Sequence, residues 1–302
     1  MTRETRSKIG ALATVPTLGA ATPYKARIKW GTVILAYLVV FGSLIYFILP
    51  MGWIIYTSFR TQASIFTGQV VSTWKDYTLE NYQTILSVTD FPQYFLNSFK
   101  IASTVTLLSL FCSIIGAYAL SRFDIKGKNT LIMGIFSTQM FPQVLLIIPM
   151  YLIVFSAGLL DKVIGVVLGQ MILVLPFQIW MLKGYFDNIS PELDNAASVD
   201  GCNILQRLIY VILPITAPGI MVAAFFSFVV SWGDFLIVSI ISQSQRTATV
   251  TLVIQRLSAS LLIRWGQVAA VTTLTIVPTV LLFSFVQRWL VEGLTAGAIR
   301  EE

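Results

Sequence analysis

The sequence predicts an all-α, polytopic membrane protein with six transmembrane helices and both termini in the cytoplasm. Three observations carry this. Of the 302 residues, 56% are hydrophobic and 11% charged, whereas a soluble domain carries roughly 25% charged residues. The charges cluster and leave six long apolar runs between them. Basic residues gather at the ends of those runs, as membrane topology requires.

Other classes fall away on composition. A net charge of +6 and a pI of 9.3 raise the question of nucleic acid, but no basic stripe with interleaved aromatics occurs, so lipid is the expected environment and no nucleic-acid partner is implied. There is no histidine, which removes histidine triads, a histidine base and the usual zinc sets, and no metal site is expected. Cys112 and Cys202 lie in segments that should not meet and do not make a disulfide scaffold.

In chain order, residues 1–29 begin with Arg3, Arg6 and Lys8 and continue into a mixed Ala/Thr/Pro/Gly stretch without a compact apolar segment. They read as a mobile cytoplasmic extension rather than a secretory signal. The domain proper is expected over 30–299. Its uncharged runs are 30 residues between Lys29 and Arg60, 21 between Lys100 and Arg122, 32 between Lys128 and Asp161, and 20 between Lys162 and Lys183. Arg207 to Arg246 encloses 38 residues with one acid, Asp234, and Arg264 to Arg288 encloses 23. Each reaches the ~20 residues a bilayer core demands.

The tail and the turn with Arg122, Lys126 and Lys128 are richly basic, which places them inside. Loops 60–95 and 242–264 then face outward, against the grain of Arg246, Arg256 and Arg264. Pro149, Pro176, Pro218 and Pro278 punctuate spans 3 to 6, each removing a backbone donor and kinking its helix unless neighbours compensate.

Residues 184–207, between spans 4 and 5, are too polar to span. Ser190 is a suitable N-cap, Pro191 suits the first helical position, and Glu192 and Asp194 favour the positive helix end. Asp200-Gly201 is a stop, and Asn203 caps a second helix running through Pro214 into span 5. Ala196 and Ala197 leave the first helix without bulk, flanked by Leu193 and Val199. A helix resting on lipid would carry basic residues; this one is acidic, and so reads as a helix that docks into a protein groove.

The segment "NAASVDGCNILQRLIYVILP" resembles the EAA signature of permease subunits in ATP-binding-cassette importers: Glu-Ala-Ala, three residues, Gly, nine residues, then Ile-x-Leu-Pro. Ala196, Ala197, Gly201, Leu213 and Pro214 match; Asn195 replaces the Glu and Val211 the Ile. "YFLNSFKIA" (94–102), "AYALSRFDIKGK" (117–128), "QMFPQ" (139–143), "IWMLKGYFDNISPELDNAASVDG" (179–201) and "QRWLVEGLTAGAI" (287–299) resemble carbohydrate-type permeases, the last the smaller maltose permease subunit in particular.

The resemblance implies the type I importer permease fold in a bacterial or archaeal inner membrane. It implies that Ser190, Glu192, Asp194, Asn195, Ala196, Ala197, Asp200 and Gly201 form the coupling helix that sits in a groove of the ATPase subunit. Glu192 or Asp194 would take over from the carboxylate missing at Asn195. The implied partners are a second homologous permease subunit, two ATPase subunits and an extracytoplasmic solute-binding protein. No G-x-x-x-x-G-K-[ST] occurs in this chain, since Gly127-Lys128 is followed by Asn129 and preceded at the first glycine position by Arg122. ATP and Mg therefore belong to the partners, and this chain is a transport subunit, not an enzyme.

Four groups of polar residues remain. Asp234 is about 27 residues beyond Arg207, roughly 40 Å of continuous helix, which places it wet at the outer interface with Trp232 as an anchor. Gln139, Phe141, Gln143, Tyr151, Gln178 and Trp180 have the aromatic and amide chemistry that a sugar pathway uses, although such residues in a permease more often pack or anchor. Gln243, Arg246 and Gln255 on the outer loop are candidates for contact with the binding protein. Set against this reading are an ion-coupled secondary transporter, which would show inverted repeats and midplane charges, and an intramembrane enzyme, which would show paired acids or a base.

Overall fold

The computed structural model describes residues 30–67, 73–87, 89–260 and 262–298. The expected extension at 1–29 lies outside them. The described residues are helical, with one isolated antiparallel bridge between Arg60 and Tyr77.

Helix α1 spans Trp30–Ser58. The chain up to Pro50 is one compact unit and that from Met51 onward another. In the first, the large apolar side chains from Ile34 to Leu49 are exposed, as befits a helix whose surroundings are lipid or another apolar surface. In the second, α2 (Gln62–Phe66), a 3-10 turn (Trp74–Asp76) and α3 (Glu80–Ser87) lead into α4 (Phe91–Arg122). Then come α5 (Lys128–Met140), α6 (Gln143–Ser156), α7 (Val163–Asp187) and α8 (Pro191–Val199). Short α9 (Ile204–Gln206), a π-helical stretch (Arg207–Ile212) and α10 (Leu213–Ile215) precede α11 (Ala217–Gly233), α12 (Leu236–Ile241), α13 (Val250–Ser258) and α14 (Trp265–Ala298).

Helices α1, α4, α7 and α14 are each long and apolar enough to cross a membrane. The other two expected spans are broken. Helices α5 and α6 meet at 102°, and Ile204–Ile215 meets α11 at 83°. The first break falls not at Pro149, which lies within α6, but at Phe141-Pro142, whose ψ values of 130° and 126° are extended. Proline disfavours the helical region for the residue before it, and Phe141 obeys.

The second break corrects the expectation of one helix running from Asn203 into span 5. Pro214 and Pro218 lack donors within four residues of each other, and the helix turns at Thr216 (φ −90°, ψ 6°). The Thr216 N–H and hydroxyl both donate to the Ile212 carbonyl, at 3.0 and 2.7 Å, which closes the last turn before the bend. Just beyond, a Cβ at Gly219 would sit 2.5–2.7 Å from the Tyr185 ring. Only glycine allows α11 to start that close to α7.

The core forms where α4, α7 and α11 pack together. At one end Tyr94, Ile101 and Val105 of α4 meet Val166, Val167, Met171 and Val174 of α7, with Ile237, Val238 and Ile241 of α12. At the other, Ala117 and Tyr118 meet Leu182, Phe186, Leu208, Ile212 and Ala223. Between them the hydroxyls of Ser109 and Ser227 share a buried 2.9 Å hydrogen bond, the small polar contact that suits closely packed helices in lipid. This second cluster is the platform beneath α8.

Candidate coupling site

Helix α8 starts and stops as its residues dictate. The Ser190 hydroxyl accepts from the Glu192 N–H at 3.3 Å, and Pro191 occupies the first turn. At the far end, the Asp200 N–H donates to the Ala196 carbonyl and the Cys202 N–H to the Ala197 carbonyl. Gly201 takes φ +86°, the left-handed conformation that glycine adopts without penalty. Asn203 and Gln206 then cap the next helix reciprocally.

The two sides of α8 do different things. Asp194 and Ala197 are buried, at 5% and 7% exposure. Asp194 Oδ2 pairs with Arg122 Nε at 2.7 Å, and its Oδ1 accepts from the Tyr118 hydroxyl at 2.9 Å. Arg122 also donates from Nη2 to the Ile189 carbonyl at 3.1 Å. Ser198 donates to the Asp194 carbonyl and receives Arg207 Nη1 at 2.8 Å. The end of α4 therefore grips both α8 and the turn before it.

This corrects two expectations. Asp194 is engaged by Arg122 and Tyr118 and does not replace the carboxylate missing at Asn195. Ala197 is tucked against this chain's own core, so it does not form the outward surface. That surface consists of Ser190, Glu192, Leu193, Asn195, Ala196, Val199, Asp200 and Gly201, all exposed, with Val199 at 88%. Sequence reasoning missed Arg122 and Tyr118 as partners of α8. The only signal was their place in "AYALSRF", at the end of an apolar run.

The candidate pathway residues do not form one cluster. Gln178 is fully buried, donating to the Ala223 carbonyl at 3.1 Å; it joins α7 to α11 and lines no path. Gln139 is exposed and donates to the Leu173 carbonyl at 3.1 Å. Phe141 and Gln143 are exposed at the α5–α6 break. Trp180 is half-exposed and meets Phe136 edge-on at 5.5 Å, and Tyr151 stacks on Phe155 at 6.0 Å.

Comparison with known proteins decides the family. The description "Binding-protein-dependent transport system inner membrane component" matches residues 109–295, which include α8 and its grip. The chain belongs to that family. It is 31% identical over 253 residues to the diacetylchitobiose uptake system permease protein DasC of Streptomyces coelicolor, covering 84% of this chain and 92% of that one. It is 32% identical over 258 residues to the trehalose/maltose transport system permease protein MalG of Thermococcus litoralis, covering 84% and 91%. A bacterial ABC transporter importing the acidic polysaccharide alginate has the same fold: TM-score 0.76 at 22% identity, over 88% of this chain and 99% of that one. This chain is thus a multi-pass inner-membrane ABC importer permease.

In this permease the segment after α12 is held firmly. Asp161 (φ +53°) accepts on Oδ1 from the Gln243 and Ser244 N–H groups at 3.1 and 3.0 Å and from the Thr247 hydroxyl at 2.5 Å. Burial works to raise the Asp161 pKa, but hydrogen bonds from Ser244, Thr247 and Gln243 outweigh it and bring it down to about 2. Asn97 donates to the carbonyls of Gln245 and Ala248, both at 3.0 Å, and Ser98 accepts from the Val250 N–H. Thr247, Ala248 and Thr249 are buried, while Gln243 and Arg246 stay exposed at the tip and Gln255 farther on in α13.

Asp234 is likewise not the wet interfacial residue expected. The 83° break invalidates the argument from a continuous helix. Asp234 Oδ2 receives Gln170 Nε2 at 2.9 Å, and Gln170, 1% exposed, accepts from the Ser231 hydroxyl at 2.5 Å. Trp232 is no surface anchor: it is 4% exposed and donates to the Thr275 carbonyl at 3.0 Å.

Proposed function

We propose that this chain is one of two permease subunits of an ATP-driven importer for an oligosaccharide of the maltose, trehalose or chitobiose kind, with both termini in the cytoplasm. The observation that carries the mechanism is the two-sided character of α8. Its small exposed side, centred on Ala196, admits close approach by a groove of an ATPase subunit. Its other side is locked through Asp194 to Arg122, so a push on α8 reaches α4 directly.

In this reading two partner ATPases hold ATP and Mg, and their closure moves α8 of this chain and the matching helix of the second permease subunit. The two states differ in their affinity for the ATPases and for a loaded binding protein, which is what couples hydrolysis to transport. The rigid loop tip with Gln243 and Arg246, and Gln255 beyond it, faces the binding protein. Exposed Phe141, Gln143 and Trp180, with the half-buried Tyr151, are the candidates for sugar passage. The sugar class is supported by the diacetylchitobiose and trehalose/maltose systems named above.

The test is co-purification of the assembled complex carrying Ala196→Arg. The second permease subunit should remain bound, while ATPase stimulation by sugar-loaded binding protein falls at least about tenfold, as a charge buried in an interface costs several kcal/mol. Undiminished stimulation would place the docking site elsewhere.

A further inference from the structure

The start of span 5 departs from α-helical bonding soon after α8. Between Arg207 and Ile212 the chain is π-helical, and the Leu213 N–H donates to the Leu208 carbonyl, five residues back rather than four. Such turns are rare, appear mostly as single turns inside α-helices, and occur frequently at functional positions. Pro214 follows at once. It has no N–H, and in a regular α-helix its ring would press on the carbonyl of Tyr210. The 83° bend at Thr216 comes next.

The π turn is anchored in the core and joined to α8. Leu208 and Ile212 are buried in the cluster with Tyr118, Leu182, Phe186 and Ile189 that underlies α8, while Ile209 and Tyr210 between them stay exposed. At the head of the turn the Arg207 N–H donates to the Asn203 carbonyl at 2.9 Å, and Arg207 Nη1 reaches the Ser198 hydroxyl in the last turn of α8 at 2.8 Å. Helix α8 is thus attached twice. Its link to span 2 is the shielded ion pair of Asp194 with Arg122. Its link to span 5 is one hydrogen bond from Arg207, whose Nε is buried with no hydrogen-bond partner among the described residues. The ion pair passes a displacement on stiffly. On the side of span 5 the same displacement meets a turn with wider bonding, a proline without a donor and a bend.

We propose that the π turn at Arg207–Ile212 is the joint through which span 5 follows α8. In one transport state it holds the bonding seen here. In the other it closes into α-helical bonding and moves the residues beyond it by one residue's rise, about 1.5 Å. Helix shifts of this size belong to the ordinary repertoire of switching proteins. Leu208 and Ile212 stay on the core side after closure, since residues four apart share a face of an α-helix. The joint rests on the reading of α8 as the coupling helix. It adds a second path to the one through Arg122, with a moving part of its own.

The test compares the assembled native complex with two variants, one lacking Tyr210 and one carrying Tyr210→Ala. Deleting this exposed residue closes the turn permanently and leaves Leu208 and Ile212 at i and i+3 spacing, still on one face. Tyr210→Ala removes the side chain and keeps the extra residue. The deletion should co-purify with the second permease subunit yet lose ATPase stimulation by sugar-loaded binding protein about tenfold, the size of an ordinary coupling between sites. The substitution should keep its stimulation. Native stimulation in the deletion, or an equal loss in both variants, overturns the proposal. Where the deletion does not assemble, hydrogen exchange in the native complex answers. The amides of Val211, Ile212 and Leu213 should change rate about tenfold between the nucleotide-free and ATP-analogue-bound states, and equal rates overturn the joint. Ala196→Arg separates the two readings. Stimulation lost there but kept in the deletion overturns the joint alone, whereas stimulation kept in both also overturns α8 as the coupling helix.

Discussion

Arg122 at the end of α4 and Asp194 in the short helix α8, 72 residues apart in sequence, are joined by a 2.7 Å ion pair whose side chains are 10% and 8% exposed. Tyr118, one helical turn before Arg122, completes the grip at 2.9 Å. Because both charges are shielded from water, neither is dispensable alone. Arg122→Ala should destabilise the permease by about 3–5 kcal/mol, since it strands a buried carboxylate. Arg122→Met with Asp194→Leu should recover most of that loss. Thermal unfolding in detergent of the single and double variants decides it: additive losses would mean the two residues do not act as a pair.

Asp161 gives the fold a pH dependence confined to strong acid. Its folded pKa of about 2 lies below its ordinary value, so the folded state takes up its proton later than the unfolded chain. The stabilisation is present above an ordinary aspartate pKa of about 4 and is lost as pH falls through about 2. Asp161→Asn should abolish that component of the acid transition and lower neutral-pH stability by about 1–2 kcal/mol. Denaturant unfolding at about pH 7, 3 and 1.5, a range that spans both pKa values, reads both effects. An unchanged pH profile would show that the loop after α12 is held by Asn97 and Ser98 without Asp161.

The start of α11 tolerates no side chain at Gly219. Gly219→Ala should cost about 1–3 kcal/mol by overpacking against the Tyr185 ring. In a double-mutant cycle with Tyr185→Ala the cost should shrink, because the clash has gone. A cycle showing no coupling would place the strain elsewhere in the bend.

Gln170 links Ser231 and Asp234 across α7 and the end of α11. Gln170→Leu should destabilise by about 1–3 kcal/mol through the polar groups it leaves unpaired. Gln170→Glu should be worse at neutral pH, since it sets a second carboxylate against Asp234. Equal stability of the two variants would mean that Asp234 has ready access to water.

Much of this molecule is legible in its amino-acid sequence. Long uncharged runs locate the spans, because a bilayer tolerates few charges over ~20 residues. Ser190, Pro191 and Gly201 mark the ends of α8 through local hydrogen bonding and backbone conformation, which neighbours in sequence decide. The EAA-like spacing points to the family to which the chain belongs. Other features depend on contacts between distant segments. Phe141-Pro142 rather than Pro149 breaks the third span, since Pro149 is accommodated within a continuing helix. Gln178 is a tie between helices, and Trp232 a buried donor instead of an anchor. The residue pattern predicts a short polar helix at α8 but cannot say that Asp194 faces Arg122 while Ala196 faces outward. Sequence determines where helices form and end, because those forces act within one turn. Tertiary structure alone decides which side chains meet, because a buried charge takes its partner from whatever segment the fold brings within about 3 Å, the reach of a hydrogen bond.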